Sequence, residues 1–535
     1  MTEAGKRNLR LILGMGGLAA IFVAIFLVGD RRQEPEAARA FQIPLSSDIR
    51  STSPGVNRDA NTDTVMMHVF EGLVAYREDG TPGLLLADSI DVSPDGKRYE
   101  FRLRRGVRFH NGEPMTARDV VWSWRRYLDP KTGWSCLSAF DGSRGAKIQA
   151  VEALDTERVV FTLSQPQPLL LTQMADIQCG GSAIIHAASL NPDDSWRWPV
   201  ATGPYRLTSW KRGRHIDLEA FAQYSSRPGP RDGNTGGKVA HEPRLRWLII
   251  RDAASRLAAL SKGQVDVMPE LPAPEMLQVR QLKDVTIVVK PMLGAYGLLV
   301  QDHDPLLADP RVRQAIALSI DRRAVAGLVT ADVAGANPSM VPTASPYHTA
   351  AHDMGAVHDV ERARRLLAQA GYRGQPIILT TNRRYPAMFN QALVVQAMAR
   401  GSGLNIKLEV VEWATQMDRW RSGRFQLMSF GFSARADPSL NYESILGDRV
   451  ANKSKVWDNP AALALAADGL RTSDPKARQA IFDQLQVLMI QDAPFIALFS
   501  PPDVNAVHRS VTGFSSWPFG RARFWGVRRS AGAPK

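Results

Sequence analysis

Apolar and polar positions alternate or cluster along the chain in two distinct periods. Residues Tyr99–Arg104, Val159–Leu163, Leu245–Ile250 and Leu404–Val411 alternate or run apolar over strand lengths, which predicts β-strands there. Between such runs, Pro310–Ile320, Val360–Ala370 and Pro475–Leu488 carry apolar residues on a single helical stripe. Their ends carry the matching chemistry. Asp309 before Pro310, and Asp474 before Pro475, each place an N-cap acceptor ahead of a proline at the first helical position, and Gly371 supplies a left-handed stop. Asp95-Gly96 between two strand-like runs predicts a hairpin turn, and Gly106 and Gly112 punctuate the next one. Thr116 with Asp119 has capping-box spacing and starts a helix. The Gly- and Pro-rich stretch Arg227–Gly237 reads as an exposed loop. Mixed strands and helices without an internal repeat predict an α/β body.

One segment breaks this pattern. Lys6, Arg7 and Arg10 precede an apolar run from Leu11 to Val28 that is closed by Asp30-Arg31-Arg32. Eighteen residues at a 1.5 Å rise reach about 27 Å, close to the hydrocarbon thickness of a bilayer. The run lacks any polar face, so it predicts either an anchor to the cytoplasmic membrane or an export signal. Ala38-Arg39-Ala40 fits small-x-small cleavage before Phe41, and both outcomes stay open. Either way the basic flank stays inside and the chain after Phe41 faces outward, into the periplasm. No Cys follows the run, which excludes the lipid-modified Cys of a bacterial lipoprotein.

The 535 residues suffice for about three or four folding units. With 44% hydrophobic and 22% charged residues the chain is globular rather than disordered. Its net charge of +13 is dispersed in pairs such as Arg104-Arg105 and Arg322-Arg323, with no continuous basic stripe, so nucleic acid is not an expected partner. Cys136 and Cys179 are the only cysteines. They are a disulfide candidate closing a loop worth about 4 kcal/mol; two buried thiols are the alternative, and an oxidising compartment favours the bridge.

Catalytic signatures are absent: the chain has no Gly-x-Ser-x-Gly, no His-Glu-x-x-His, no phosphate loop and no Cys-x-x-Cys. Ser473-x-x-Lys476 matches an acylating spacing, but Asp474-Pro475 between them explains Ser473 as part of a capping turn. His348, His352 and His358, beside Asp353 and Asp359, match no compact ligand pattern and read as a polar loop. No enzyme activity, metal site or cofactor is expected.

Longer motifs carry more information. Val69-Phe-Glu-Gly-Leu-Val-Ala-Tyr-Arg-Glu-Asp-Gly80 is followed by Leu86–Ser123, which contains Ser93-Pro-Asp-Gly96 and Arg105-Gly-Val-Arg-Phe-His110. Thr202-Gly-Pro-Tyr205, Leu260-Ser-Lys-Gly-Gln-Val-Asp266, Asp309–Ala317 with Asp321-Arg322, Glu412-Trp413, Asp437-Pro438 and Ala493-Pro494 come next in order. Over about residues 43 to 526 the chain resembles the peptide/nickel class, family 5, of extracellular solute-binding proteins that feed ABC importers, the oligopeptide- and dipeptide-binding proteins included.

That resemblance implies a two-lobed periplasmic-binding-protein clamshell of type II, cluster C, closing over a ligand in its cleft. Lobe one would be discontinuous, from 41–72, 188–290 and 497–535, with 73–187 as an extra subdomain and 291–496 as lobe two. The implied partners are a peptide or peptide-like small molecule and the permease subunits in the membrane, with the protein a monomer. In peptide-binding relatives an Asp in a Gly-Trp-x-x-Asp stretch holds the ligand's ammonium. Here the stretch reads Gly431-Phe-Ser-Ala-Arg-Ala-Asp-Pro438, and Arg435 stands at the Asp position. A guanidinium there attracts carboxylate or phosphate and repels ammonium, so the ligand would be turned around or anionic. Asp437 is a second candidate contact, although its place before Pro438 also suits a structural role. Phe432 and Ser433 lie in the same stretch, and Trp413 and Tyr296 are the aromatics expected nearby. Ala60-Asn61-Thr62 is expected as a lobe-one edge pairing with ligand main chain. The competing reading is a membrane-tethered sensor or binding protein of the same fold for an anionic, sugar-derived or metal-chelate ligand.

Overall fold

The computed structural model describes residues 39–143, 145–355 and 357–530. The run Leu11–Val28, and with it the choice between anchor and cleaved signal, lies outside the described residues. Among the described residues, no helix is long and apolar enough to cross a membrane.

Three sheets organise the chain. The first takes strands Phe41–Leu45, Arg244–Ile249, His215–Ala220 and Tyr205–Lys211, in that spatial order. A small sheet of Val267–Met268, Pro502–His508 and Val285–Pro291 accompanies it, so the C-terminal part of the chain pairs with strands more than 200 residues earlier. The second large sheet orders Ile406–Val410, Ile377–Thr381, Leu427–Phe432, Ala295–Val300 and Phe495–Phe499. Its first three strands are parallel and its last two pairings antiparallel, with Tyr296 directly opposite Gly431. The third sheet is an antiparallel meander-like set, Ala87–Val92, Arg98–Leu103, Arg158–Leu163 and Ile148–Ala153. Helix Ala117–Leu128 covers it with Trp124, which is fully buried against Phe161 at 5.0 Å.

The local signals act as read. Asp309 and Asp474 accept from Arg311 and Lys476 backbone N–H groups at the starts of Pro310–Leu318 and Pro475–Asp492, and Thr116 with Asp119 closes its capping box. The long helix runs four residues past the expected end, because apolar Met489 continues its buried stripe.

The stretch 227–237 departs from expectation. It is a pinned hairpin, Arg231–Asp232 against Thr235–Gly236, and Asn234 and Thr235 are buried. Asp232 accepts from Arg77 Nε at 2.7 Å and from the Glu78 N–H at 2.9 Å, and Arg227 donates to the Leu85 and Ala87 carbonyls. Gly233, at φ 63°, lies so close to Arg77 that a Cβ would sit 2.3 Å from its carbonyl carbon. Turn composition was legible in this stretch; the tertiary partners that bury it were not.

Cys136 and Cys179 form a disulfide with their Cα atoms 5.5 Å apart. The bond ties the loop after Trp134 to segment Ile177–Ser182, and the Trp134 indole N–H donates to the Cys179 carbonyl at 3.0 Å. Protein denatured without reductant is therefore expected to take up no thiol reagent, and two labels per chain after reduction. Two labels before reduction, read by mass spectrometry, would remove the bond.

Candidate functional site

The stretch singled out in the sequence forms the turn that leaves strand Leu427–Phe432. Phe432 is buried and packs on Phe430 and Phe495 at 4.9 and 5.6 Å, so it belongs to the core of this sheet rather than to an open wall. Ser433 is exposed. The Arg435 N–H donates to the Leu293 carbonyl at 2.9 Å, its guanidinium donates to the Leu440 carbonyl, and it lies 5.9 Å from the Phe432 ring centre. Ala434 and Ala436 pack against the cluster that holds Leu73, Tyr76 and Phe519. Tyr76 and Phe519 stack there at 4.4 Å.

Asp437 has a different role from ligand contact. Its carboxylate accepts from the Ser439 N–H at 2.9 Å as N-cap of helix Pro438–Ile445. Both of its oxygens also accept from one Arg478 nitrogen at 2.6 Å, in a pair exposed by only 9% and 4%. Held by these three bonds and buried, Asp437 anchors the turn.

The other segment singled out in the sequence lies in helix Ala60–Met66. The expected extended edge at Ala60-Asn61-Thr62 is instead the first turn of this helix, because Asp59 accepts from the Thr62 N–H at 2.9 Å and caps it. Asn61 donates to the Ser47 carbonyl at 2.8 Å, and Thr62 Oγ1 donates to Asp59 at 2.8 Å. In helical rather than extended backbone, these three residues present no strand edge.

The charges of this region come from three parts of the chain. Arg58 grips Asp63 through two nitrogens, Nε at 2.8 Å, and Arg521 stands 3.9 Å from the same carboxylate. Arg58 also reaches Gln178 at 3.4 Å, next to Asp176, which caps Ile177–Ser182. Burial pushes the Asp63 carboxyl up to about 6 against the opposing pull of Arg58 and Arg521. Burial also raises Asp176, against the pull of Arg435, Arg58 and Arg521. Three guanidinium groups thus surround two carboxylates. Beside them lies a cavity of about 30 Å³, lined by Arg58, Asp63, Glu71, Gly180, Gly181 and Asn234. Sequence reasoning missed Arg58, Asp63, Asp176, Arg521 and Asn234; the only local signal was Asp59-x-x-Thr62, which marks a helix start there.

Trp413 and Tyr296 are not part of this charged group. Trp413 opens helix Trp413–Ser422 and meets Tyr385 edge-on at 4.8 Å. Tyr296 stacks on Phe499 at 5.4 Å beneath Gly431, and burial pushes its hydroxyl up to about 12. Asp302, His303 and Asp458 come within ligating reach of one another on the second large sheet's outer side, but Arg449 already holds Asp302 at 2.9 Å.

Removing one partner of a buried ion pair leaves the other charge desolvated, so Asp437→Asn and Arg478→Met are each expected to lower unfolding stability by about 3–5 kcal/mol. The double variant recovers part of that loss. Urea midpoints of the four proteins check this; equal, additive losses would show that the two groups do not act together.

Residues 81–453 match the family model described as bacterial extracellular solute-binding proteins, family 5 middle. The probable D,D-dipeptide-binding periplasmic protein DdpA of Escherichia coli (strain K12) is 28% identical over 493 residues, covering 88% of this chain and 90% of that protein. The periplasmic oligopeptide-binding protein OppA of the same organism is 24% identical, covering 88% of each. Among solved structures, the binding protein AgaA from A. tumefacien R10 in complex with agropinic acid superposes with a TM-score of 0.74 at 25% identity, covering 92% of this chain and 99% of that one. DppA from Helicobacter pylori in complex with peptide STSA gives 0.75 at 23% identity over 92% and 98%. The match spans well over half the sequence, and the sheets described above are those of the two-lobed fold: the chain belongs to the family 5 bacterial extracellular solute-binding proteins.

Proposed function

We propose that the protein is the substrate-binding component of an ABC importer, capturing a peptide or peptide-like solute in the interlobe cleft and delivering it to the permease. The relatives named for peptides and found in the periplasm support this reading, and so does the lack of any catalytic constellation in the sequence. Lobe one is assigned to 41–72, 188–290 and 497–535, the disulfide-bonded subdomain to 73–187, and lobe two to 291–496; the first large sheet, drawn wholly from the lobe-one segments, supports this division, while strand Phe495–Phe499 carries the second large sheet past 496. The protein works as a monomer outside the cytoplasmic membrane, freed from its N-terminal segment or tethered by it.

The observation that carries the site assignment is Arg435. It stands on the lobe-two turn beside exposed Ser433, and its charge reaches Asp176 on the other side of the cleft. A half-buried guanidinium presented there recognises a carboxylate through two parallel N–H donors. Ser433 offers a neutral hydrogen bond beside it. A second reading keeps the fold and changes the ligand to an acidic, sugar-derived compound. The arginine and the relative solved with agropinic acid favour it.

Arg435→Ala is expected to weaken binding of the ligand that co-purifies with the protein by roughly ten- to a hundredfold, the equivalent of about 1.5–3 kcal/mol. The melting temperature of the empty protein should change little. Calorimetric titration decides: unchanged affinity with a large loss of melting temperature would make Arg435 a brace for its own turn. Mass spectrometry of the released compound separates the peptide from the sugar-derived ligand.

A further inference from the structure

We propose that lobe one holds the amine end of the ligand: the cavity between Asp63 and Asn234 receives a primary ammonium, while Arg435 across the cleft receives the carboxylate. This rests on the peptide reading above and fixes the direction in which the peptide lies.

The first observation is an orphaned acceptor. Asn234 is 7% exposed, lines the cavity, and its Oδ1 has no hydrogen-bond partner. A buried acceptor left unmade costs about 1–3 kcal/mol, so something with a proton to give belongs there. The second observation is the acid beside it. Glu71 also lines the cavity, but Lys238, Tyr224 and Thr202 already occupy it at 3.1, 2.8 and 3.1 Å. Asp63 is different. Arg58 takes one site on each of its oxygens, and Arg521 stays 3.9 Å away, which leaves acceptor positions on a carboxylate that is only 6% exposed. Burial outweighs the pull of both Arg58 and Arg521 on that carboxyl, so the two cations already present do not offset its desolvation.

Size agrees with charge. About 30 Å³ accepts one water-sized group, which an ammonium head is and a guanidinium is not. The wall is built to stay open at that size: Gly180 packs directly on Pro54 and Gly55, where a Cβ would meet the Gly55 nitrogen at 2.8 Å, and the Cys136–Cys179 bond holds the segment from behind. Asn234 arrives on a hairpin whose Asn234 N–H donates to the Tyr76 carbonyl at 2.8 Å, so the amide is fixed in place.

The probes are the dipeptide Ala-Ala, its N-acetylated form and its C-terminal amide, titrated calorimetrically into the full exported chain freed of bound ligand. Acetylation is expected to weaken binding at least a hundredfold in the wild type. In Asp63→Asn and in Asn234→Leu, free Ala-Ala should bind about ten- to a hundredfold more weakly, and acetylation should then cost less than tenfold. Amidation should weaken binding in the wild type and have little further effect in Arg435→Ala. If free and acetylated peptide bind the wild type alike, the amine subsite is overturned, the cavity holds a water, and the peptide function stands. If neither these probes nor a mixed dipeptide pool binds at all, the peptide reading itself falls and takes the subsite with it.

Discussion

The buried pair between Asp437 and Arg478 sets the geometry on which the candidate site depends. Two ions removed from water attract strongly only where geometry is good and the remaining donors are satisfied. Here both conditions hold: Arg478 also donates to the Gly469 and Thr472 carbonyls, and Asp437 also caps helix Pro438–Ile445. Helix Pro475–Asp492 is thereby locked to the turn 433–437. With its end fixed, the turn has little freedom in where it holds Arg435, whose own N–H is tied to the Leu293 carbonyl at 2.9 Å.

Lobe one solves the same problem with an uncharged hub. His68 is fully buried, and burial pushes it down to about 3, so it is neutral. One ring nitrogen donates to the Thr64 and Val65 carbonyls, and the other accepts from the Phe524 N–H at 3.1 Å, while Trp525 meets its edge at 5.1 Å. Lys238, paired with Glu71, lies 4.9 Å over the same Trp525 ring. The returning C-terminal segment is thus fixed to helix Ala60–Met66, and Arg521 is carried to Asp63. Two buried polar anchors, Asp437 with Arg478 and His68 with its backbone partners, thus tie sequence-distant segments together.

What the sequence revealed follows from the range of each interaction. Helix caps at Asp309, Asp474 and Thr116, and the hairpin glycines, are decided within a few residues, and they were legible. The Asp437-Pro438 dipeptide announced a helix start, yet its partner Arg478 lies 41 residues away on another helix, and no local pattern points to it. The same limit explains Asn234. A run rich in Gly and Pro says that the chain turns, while its burial depends on Arg77 and Glu78, which are more than 150 residues earlier. Ala60–Thr62 was misread for a different reason: an expected strand edge was placed where Asp59 already carried the sequence signal of a helix cap.

Charge placement at the cleft is then a consequence of desolvation rather than of net charge. The chain carries +13, but solvent-exposed charges are screened beyond about 10 Å, so net charge alone selects no ligand. The few groups that matter are those held away from water. Burial raises the Asp63 and Asp176 carboxyls against the pull of Arg58 and Arg521, and Arg435 stands on a turn whose own acid, Asp437, is committed to Arg478. Asp437 is committed to Arg478 and Arg435 lies within electrostatic reach of Asp176, so the acid that steadies the turn and the acid that meets the turn's arginine are two different groups, drawn from different parts of the chain.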